Sequence, residues 1–200
     1  MSSTLPLAHP FKRTTQKALL EPLLARFRSA RARRWVNGHT VLDFGCGADL
    51  WNLRGLAKLA KERIGYDLLF AGQPPRQTSE GVLVVGALGD VPHREVDRVL
   101  ALACFEHIET GELPLVLRQL GSLTTPHAII FGTVPTPLGK PVLEFLSYKL
   151  GLIDRSQIAD HKVYYDRARL SEVVARGGWR LTRYGFFQLG MNSWFTLEKA

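Results

Sequence analysis

The chain has 200 residues, 46% hydrophobic and 22% charged, with a formal net charge of +8. A chain of this length buries roughly 70% of its unfolded surface in one domain and needs neither disulfides nor metal to fold. Two cysteines exclude a secreted disulfide scaffold and a four-cysteine zinc site. No apolar run reaches the roughly 18 residues of a membrane span, and no continuous apolar stretch near the start marks a secretory signal. The expectation is a cytoplasmic α/β protein.

The charge is concentrated in the first element. Residues 1–40 carry eight basic side chains, among them Arg26, Arg28, Arg31, Arg33 and Arg34, against Glu21 alone. The remainder is nearly neutral. Residues 1–37 read as a basic amphipathic helical segment: Leu19, Leu20, Leu23, Leu24 and Phe27 recur at helical spacing, and Pro22 suits a first turn, so the regular part starts near Glu21. Three readings stand for it: a solvated helix packing its leucines on the core, contact with anionic lipid or an acidic substrate, and a transit peptide. Nucleic-acid binding is disfavoured, because no aromatic interleaving or reading module accompanies the charge.

From residue 38 to 200 the pattern is that of one α/β domain. Strands are expected at Thr40–Phe44, Arg63–Asp67, Val82–Val85, Val96–Ala103 and His127–Gly132. Helices are expected over 50–61, 111–120, 142–150 and 167–175, with a loop at 72–80. Alternation of this kind predicts a parallel sheet covered by helices. Two β-rich runs, Trp179–Gln188 and Asn192–Leu197, close the chain as an antiparallel hairpin. Residues 135–165 are expected to form a lid at the end of the sheet.

The stretch VLDFGCGADL (41–50) carries most of the functional information. Glycines after a strand let backbone approach a ligand, and helix N-terminal N–H groups offer donors. Leu50 stands where a dinucleotide site needs its third glycine, which disfavours nicotinamide binding, and no G-K-[ST] phosphate loop is present. The stretch resembles motif I of class I S-adenosylmethionine-dependent methyltransferases, with Asp43, Gly45 and Gly47 in place and Asp49 where a last glycine would be. Asp67 at the end of the second strand matches the family's ribose-binding acid. Glu106 and His107 in VDRVLALACFEHI (96–108) match a Glu-His pair after its fourth strand. The likeness is closest to small-molecule methyltransferases of the quinone O-methyltransferase type. The usual Gly-Asp-Ala after the third strand is replaced by Gly86-Ala87-Leu88, which passes adenine recognition to backbone around Leu88 or to Asp90.

The resemblance implies a Rossmann-like, seven-stranded, mostly parallel sheet with an antiparallel C-terminal strand. It implies S-adenosylmethionine as cofactor, S-adenosylhomocysteine as product, and a cofactor site formed by Asp43, Gly45, Cys46, Gly47, Asp49, Asp67, Leu68, Leu88, Cys104 and Glu106. Methyl transfer to an oxygen also needs a base, and His107 and His161 are the candidates, whereas His127 lies at the non-functional end of its strand. Glu106 and Glu109 suit a helix N-terminus better than a metal, so no metal is expected. Cys46 and Cys104 read as small buried residues. The expected acceptor is a small molecule or a lipid or glycan precursor, lipidic or acidic in character, reached from the cytoplasm or from the cytoplasmic face of a membrane contacted by the basic helix. The rival reading is a binding module that has kept the fold and lost the chemistry.

Overall fold

The computed structural model describes residues 21–139 and 162–200. The expected helix at 142–150 and most of the lid lie outside the described residues. In chain order the elements are α1 (Glu21–Ala32), β1 (Thr40–Phe44), α2 (Trp51–Gly55), β2 (Glu62–Tyr66), β3 (Arg76–Gln77), β4 (Val82–Val85), β5 (Val96–Leu102), α3 (Leu113–Leu123), β6 (Thr124–Pro135), α4 (Arg167–Arg176), β7 (Trp179–Phe187) and β8 (Asn192–Lys199). Short 3-10 turns follow α1, β2, β4 and β5.

All strands join one sheet in the order β3-β4-β2-β1-β5-β6-β8-β7. The five strands from β4 to β6 run parallel, β8 runs antiparallel to β6, and β7 pairs antiparallel with β8. The fully apolar Val41, Leu42, Val99 and Leu100 make β1 and β5 central strands covered on both faces. On one face Leu42, Val99, Leu117, Leu120, Val173 and Trp179 form the main core under α3 and α4. On the other, Val41, Leu100 and Phe131 pack beneath Ala32, Val36 and Leu56. The indole of Trp179 donates to the Leu117 carbonyl at 2.9 Å, which locks β7 to α3.

Three expectations change. The sheet has eight strands, because β3 pairs antiparallel with β4 inside what reads as a loop. The helix expected over 50–61 is only α2, residues 51–55: beyond it Leu56 turns inward to the core, and its N–H bonds the Leu53 carbonyl at 3.2 Å in a tighter turn. Helix α1 starts at Glu21, as its proline signals, yet two of its expected apolar positions do not seat on the core: Leu23 is 48% and Phe27 51% exposed.

Candidate functional site

The site is built at the C-terminal ends of β1, β2, β4 and β5, where open parallel sheets place their ligands. After β1 the chain turns sharply through Gly45 and Gly47, both at positive φ, and Leu50 enters α2 in the left-handed conformation at φ 52°. A side chain on Gly45 would meet Cys104 Sγ at 2.2 Å, so the glycine loop lies against the segment leaving β5. The Cys104 thiol in turn donates to the Phe44 carbonyl at 3.0 Å.

Asp67 ties this loop to β2. Its Oδ2 accepts the Gly47 N–H at 2.8 Å and its Oδ1 accepts the Leu69 N–H at 3.0 Å. The Gly45 and Cys46 N–H groups both donate to the Tyr66 carbonyl, at 2.8 and 3.1 Å. An ionised carboxylate has about four acceptor positions, so Asp67 keeps lone pairs for hydroxyl donors after holding the loop. Leu68 is half-buried in the turn after β2, and Leu88 is buried with Phe44 and Tyr66.

Two carboxyls stand out. Asp43 is the next-to-last residue of β1, at 1% exposure, and Glu106 follows β5 at 1% exposure; β1 and β5 are adjacent. Asp43 Oδ2 and Glu106 Oε2 are buried with no hydrogen-bond partner among the described residues. Burial pushes Asp43 up to about 7, against the pull of a hydrogen bond from Asn52 and with the added repulsion of Asp67 and Asp49. Burial likewise pushes Glu106 up to about 8, while its backbone hydrogen bond and the Arg28 guanidinium pull it down. Burial raises both thiols as well, so Cys46 and Cys104 stay protonated and inert. Asp49 and Ala87 are exposed on their loops, and Asp90 is exposed too. A buried, orphaned acceptor requires a donor. The pair of them beside a glycine loop and the Asp67 carboxylate fits a ligand that carries an ammonium and hydroxyls.

The remaining site residues divide as follows. His107 is half-buried in the turn Phe105–His107, its N–H bonded to the Cys104 carbonyl at 3.1 Å. His161 lies outside the described residues. The Glu106 carbonyl accepts the N–H groups of Lys162 and Val163, at 2.9 and 3.2 Å, which clamps the segment before α4 to the loop after β5. Lys162 also pairs with Glu109 at 3.3 Å. No grouping of metal-binding side chains occurs among the described residues. His127 is exposed within the first turns of β6, at the far edge of the sheet.

Sequence reasoning missed the part played by α1. Ser29 Oγ donates to Asn52 Oδ1 at 2.5 Å, and Asn52 bonds Asp43, so the basic helix reaches the motif I carboxyl through one amide. Arg28 faces Glu106 from the same helix. The only sequence signal was a lone serine and a lone asparagine among apolar and basic neighbours. Between α1 and α2 lies a cavity of about 570 Å³, bordered by Arg26, Arg33, Arg54, Trp51 and Asn52.

A methyltransferase domain family matches residues 11–184. The chain belongs to that family. It is an S-adenosylmethionine-dependent methyltransferase. Its fold is shared with magnesium protoporphyrin IX methyltransferase (ChlM) from Synechocystis PCC 6803, solved with bound SAH, at 15% identity and TM-score 0.62 over 96% of this chain and 90% of that one. It is shared with a SAM-dependent methyltransferase from Archaeoglobus fulgidus at 18% identity and TM-score 0.63, over 90% and 94% of the two chains. Mitomycin 7-O-methyltransferase MmcR aligns at 12% identity and TM-score 0.62, over 88% of this chain and 54% of that one. No curated protein matches the chain by sequence. No helix among the described residues is long and apolar enough to cross a membrane.

Proposed function

We propose that this methyltransferase modifies an oxygen or nitrogen of a small molecule or a lipid or glycan precursor of acidic character, in the cytoplasm, where its two free cysteines stay reduced. The observation that carries the reading is the pair of buried carboxyls, Asp43 in β1 and Glu106 in the turn after the adjacent β5, each with one unpartnered oxygen beside the glycine loop. The arginines around the α1–α2 cavity support an acidic acceptor.

In this reading Asp43, Gly45, Cys46, Gly47, Asp49, Asp67, Leu68, Leu88, Cys104 and Glu106 hold the cofactor. Bound there, it supplies a sulfonium methyl and a neutral leaving group. The protein's own part is to align the acceptor, exclude water and take its proton. His107, fixed at the end of β5, takes that proton on its imidazole, and His161, just before the clamped Lys162, is the second candidate. The hydrogen bonds from Lys162 and Val163 to Glu106 support a lid in residues 135–165 by fixing the chain at its far end.

The test is transfer of labelled methyl from S-adenosylmethionine into acidic and neutral lipid and polar extracts, with His107→Gln and His161→Gln as variants. The reading expects an acidic product and a loss of roughly a hundred-fold in one variant, the usual scale of general-base catalysis. Labelling confined to neutral products, or full activity in both variants, contradicts the assignment.

A further inference from the structure

The large apolar side chains most exposed among the described residues are not scattered. Leu23, Phe27, Trp51, Leu138, Phe186 and Leu189 are each about half or more exposed, and Leu189 is 99% exposed. Single exposed leucines are ordinary on a protein surface. These six share one edge of the sheet. Pro135, at the C-terminal end of β6, pairs with Asn192, so the β7–β8 turn stands at the same edge as the glycine loop. Thr136 Oγ1 donates to the Gly190 carbonyl at 2.7 Å, which joins the Leu138 loop to that turn. Arg31 of α1 lies over the Phe187 ring at 4.9 Å, and Leu23, Phe27 and Arg31 follow one another at four-residue spacing. The face of α1 that carries Leu23 and Phe27 therefore meets the hairpin at Arg31.

The tip is also strained. Gln188 and Leu189 sit at φ 52° and 56°, the left-handed pair that a tight hairpin turn takes, where glycine or asparagine is favoured. The Gly190 N–H closes the turn on the Phe187 carbonyl at 3.2 Å. A leucine wholly in solvent gains no burial to offset its strained backbone, so folding alone does not account for it. The charge supplies the partner's chemistry. Residues 1–40, which include α1, hold eight basic side chains against one acidic, while the rest of the chain is nearly neutral.

We propose that this edge docks on an anionic phospholipid bilayer, with the Leu189 tip, Leu138 and the Leu23–Phe27 stripe entering the headgroup layer and the exposed Arg26 and Arg31 of α1 meeting the phosphates. Protruding apolar tips flanked by cationic side chains are the means by which peripheral proteins combine insertion with electrostatic attraction. Docking this way turns the mouth of the methyltransferase site toward the lipid surface. The inference rests on exposure, strain and charge, and it stands whether or not the acceptor is a lipid.

The test is co-sedimentation of the full chain with phosphatidylcholine vesicles, with and without phosphatidylglycerol, for the parent, Leu189→Asn and Leu138→Asn/Leu189→Asn. Melting temperature and solution mass are measured alongside. The expected result is binding to anionic vesicles that weakens with salt, and a drop of about ten-fold or more in the double variant. The melting temperature of Leu189→Asn should be unchanged or raised, because asparagine accepts the left-handed turn. Absence of parent binding to anionic vesicles, equal binding by the variants, or equal binding to neutral vesicles overturns the proposal. So does a variant that turns a dimer into a monomer, which would assign the patch to a second copy. A fall in melting temperature would assign it to the chain's own segments.

Discussion

The two edges of the sheet contrast sharply. At the edge where the parallel strands begin, polar groups are satisfied. Asp97 accepts the Thr40 N–H at 3.1 Å and lies 3.8 Å from His39, Arg98 donates to the Trp35 carbonyl at 3.0 Å, and Lys199 caps the Gly121 and Thr124 carbonyls at 2.8 Å each. At the edge where they end, Leu50, Ala103, Gln188 and Leu189 take left-handed backbone, against Arg94 at the first edge, Asp43 and Glu106 each leave one buried carboxyl oxygen without a partner, and apolar side chains face water. One edge is stitched for stability. The other holds strain and unmet hydrogen-bonding capacity, which natural folds tolerate chiefly at working sites.

If that division holds, equivalent changes at the two edges have opposite consequences. The largest effect is expected from Gly45→Ala, whose Cβ meets Cys104 Sγ at 2.2 Å at φ +84°. Cofactor affinity and methyl transfer should fall by about a hundred-fold or more, measured by titration and turnover. Gly38→Ala, at φ +74° with nothing within 4 Å, is the control at the other edge. It should lower stability by about 1 kcal/mol and leave affinity unchanged.

Next in size is Asp97→Ala, which removes the acceptor of the Thr40 N–H and of Thr125 Oγ1 and the partner of His39. A loss of about 2 kcal/mol in thermal unfolding is expected, with methyl transfer unaltered.

A smaller, graded effect is expected with pH. The carboxyls of Asp43 and Glu106 are raised in the folded chain to about 7 and about 8, from 3.8 and 4.5. Below about pH 3 both are protonated whether the chain is folded or not. Between there and pH 8 the folded chain holds protons that the unfolded chain has released, so their contribution to stability falls as pH rises. Asp43→Asn and Glu106→Gln should each flatten that decline in unfolding curves taken from pH 5 to pH 8. An unchanged slope in both would mean that these carboxyls are not buried as the structure places them.

Much of this was legible in the sequence for identifiable reasons. Strands β1 and β4 have the residues the apolar runs indicate, because fully buried strands read as continuous Val and Leu. The tight turn at Gly45 and Gly47 was legible because positive φ restricts residue choice there, whereas Asp43 and Asp67 stood out only through the family resemblance. Strand β3 was not, because Arg76 and Gln77 carry no apolar signal and join only through backbone. Helix α2 looked longer because Leu56 is buried at helical spacing even though the backbone has left the helix. The spacing of Leu23 and Phe27 is the same whether a stripe faces core or solvent, so only the structure shows it turned outward. The link from Ser29 through Asn52 to Asp43 spans distant parts of the chain and has no local pattern.

The central claim, that the C-terminal edge is a working cofactor site separable from the stabilising edge, is tested most directly by calorimetric titration. S-adenosylmethionine and S-adenosylhomocysteine would be titrated into the parent, Asp67→Ala and Asp97→Ala, each shown to be folded. Micromolar binding by the parent and by Asp97→Ala, lost in Asp67→Ala, is the predicted result. No binding by the folded parent, or equal binding by Asp67→Ala, would contradict it.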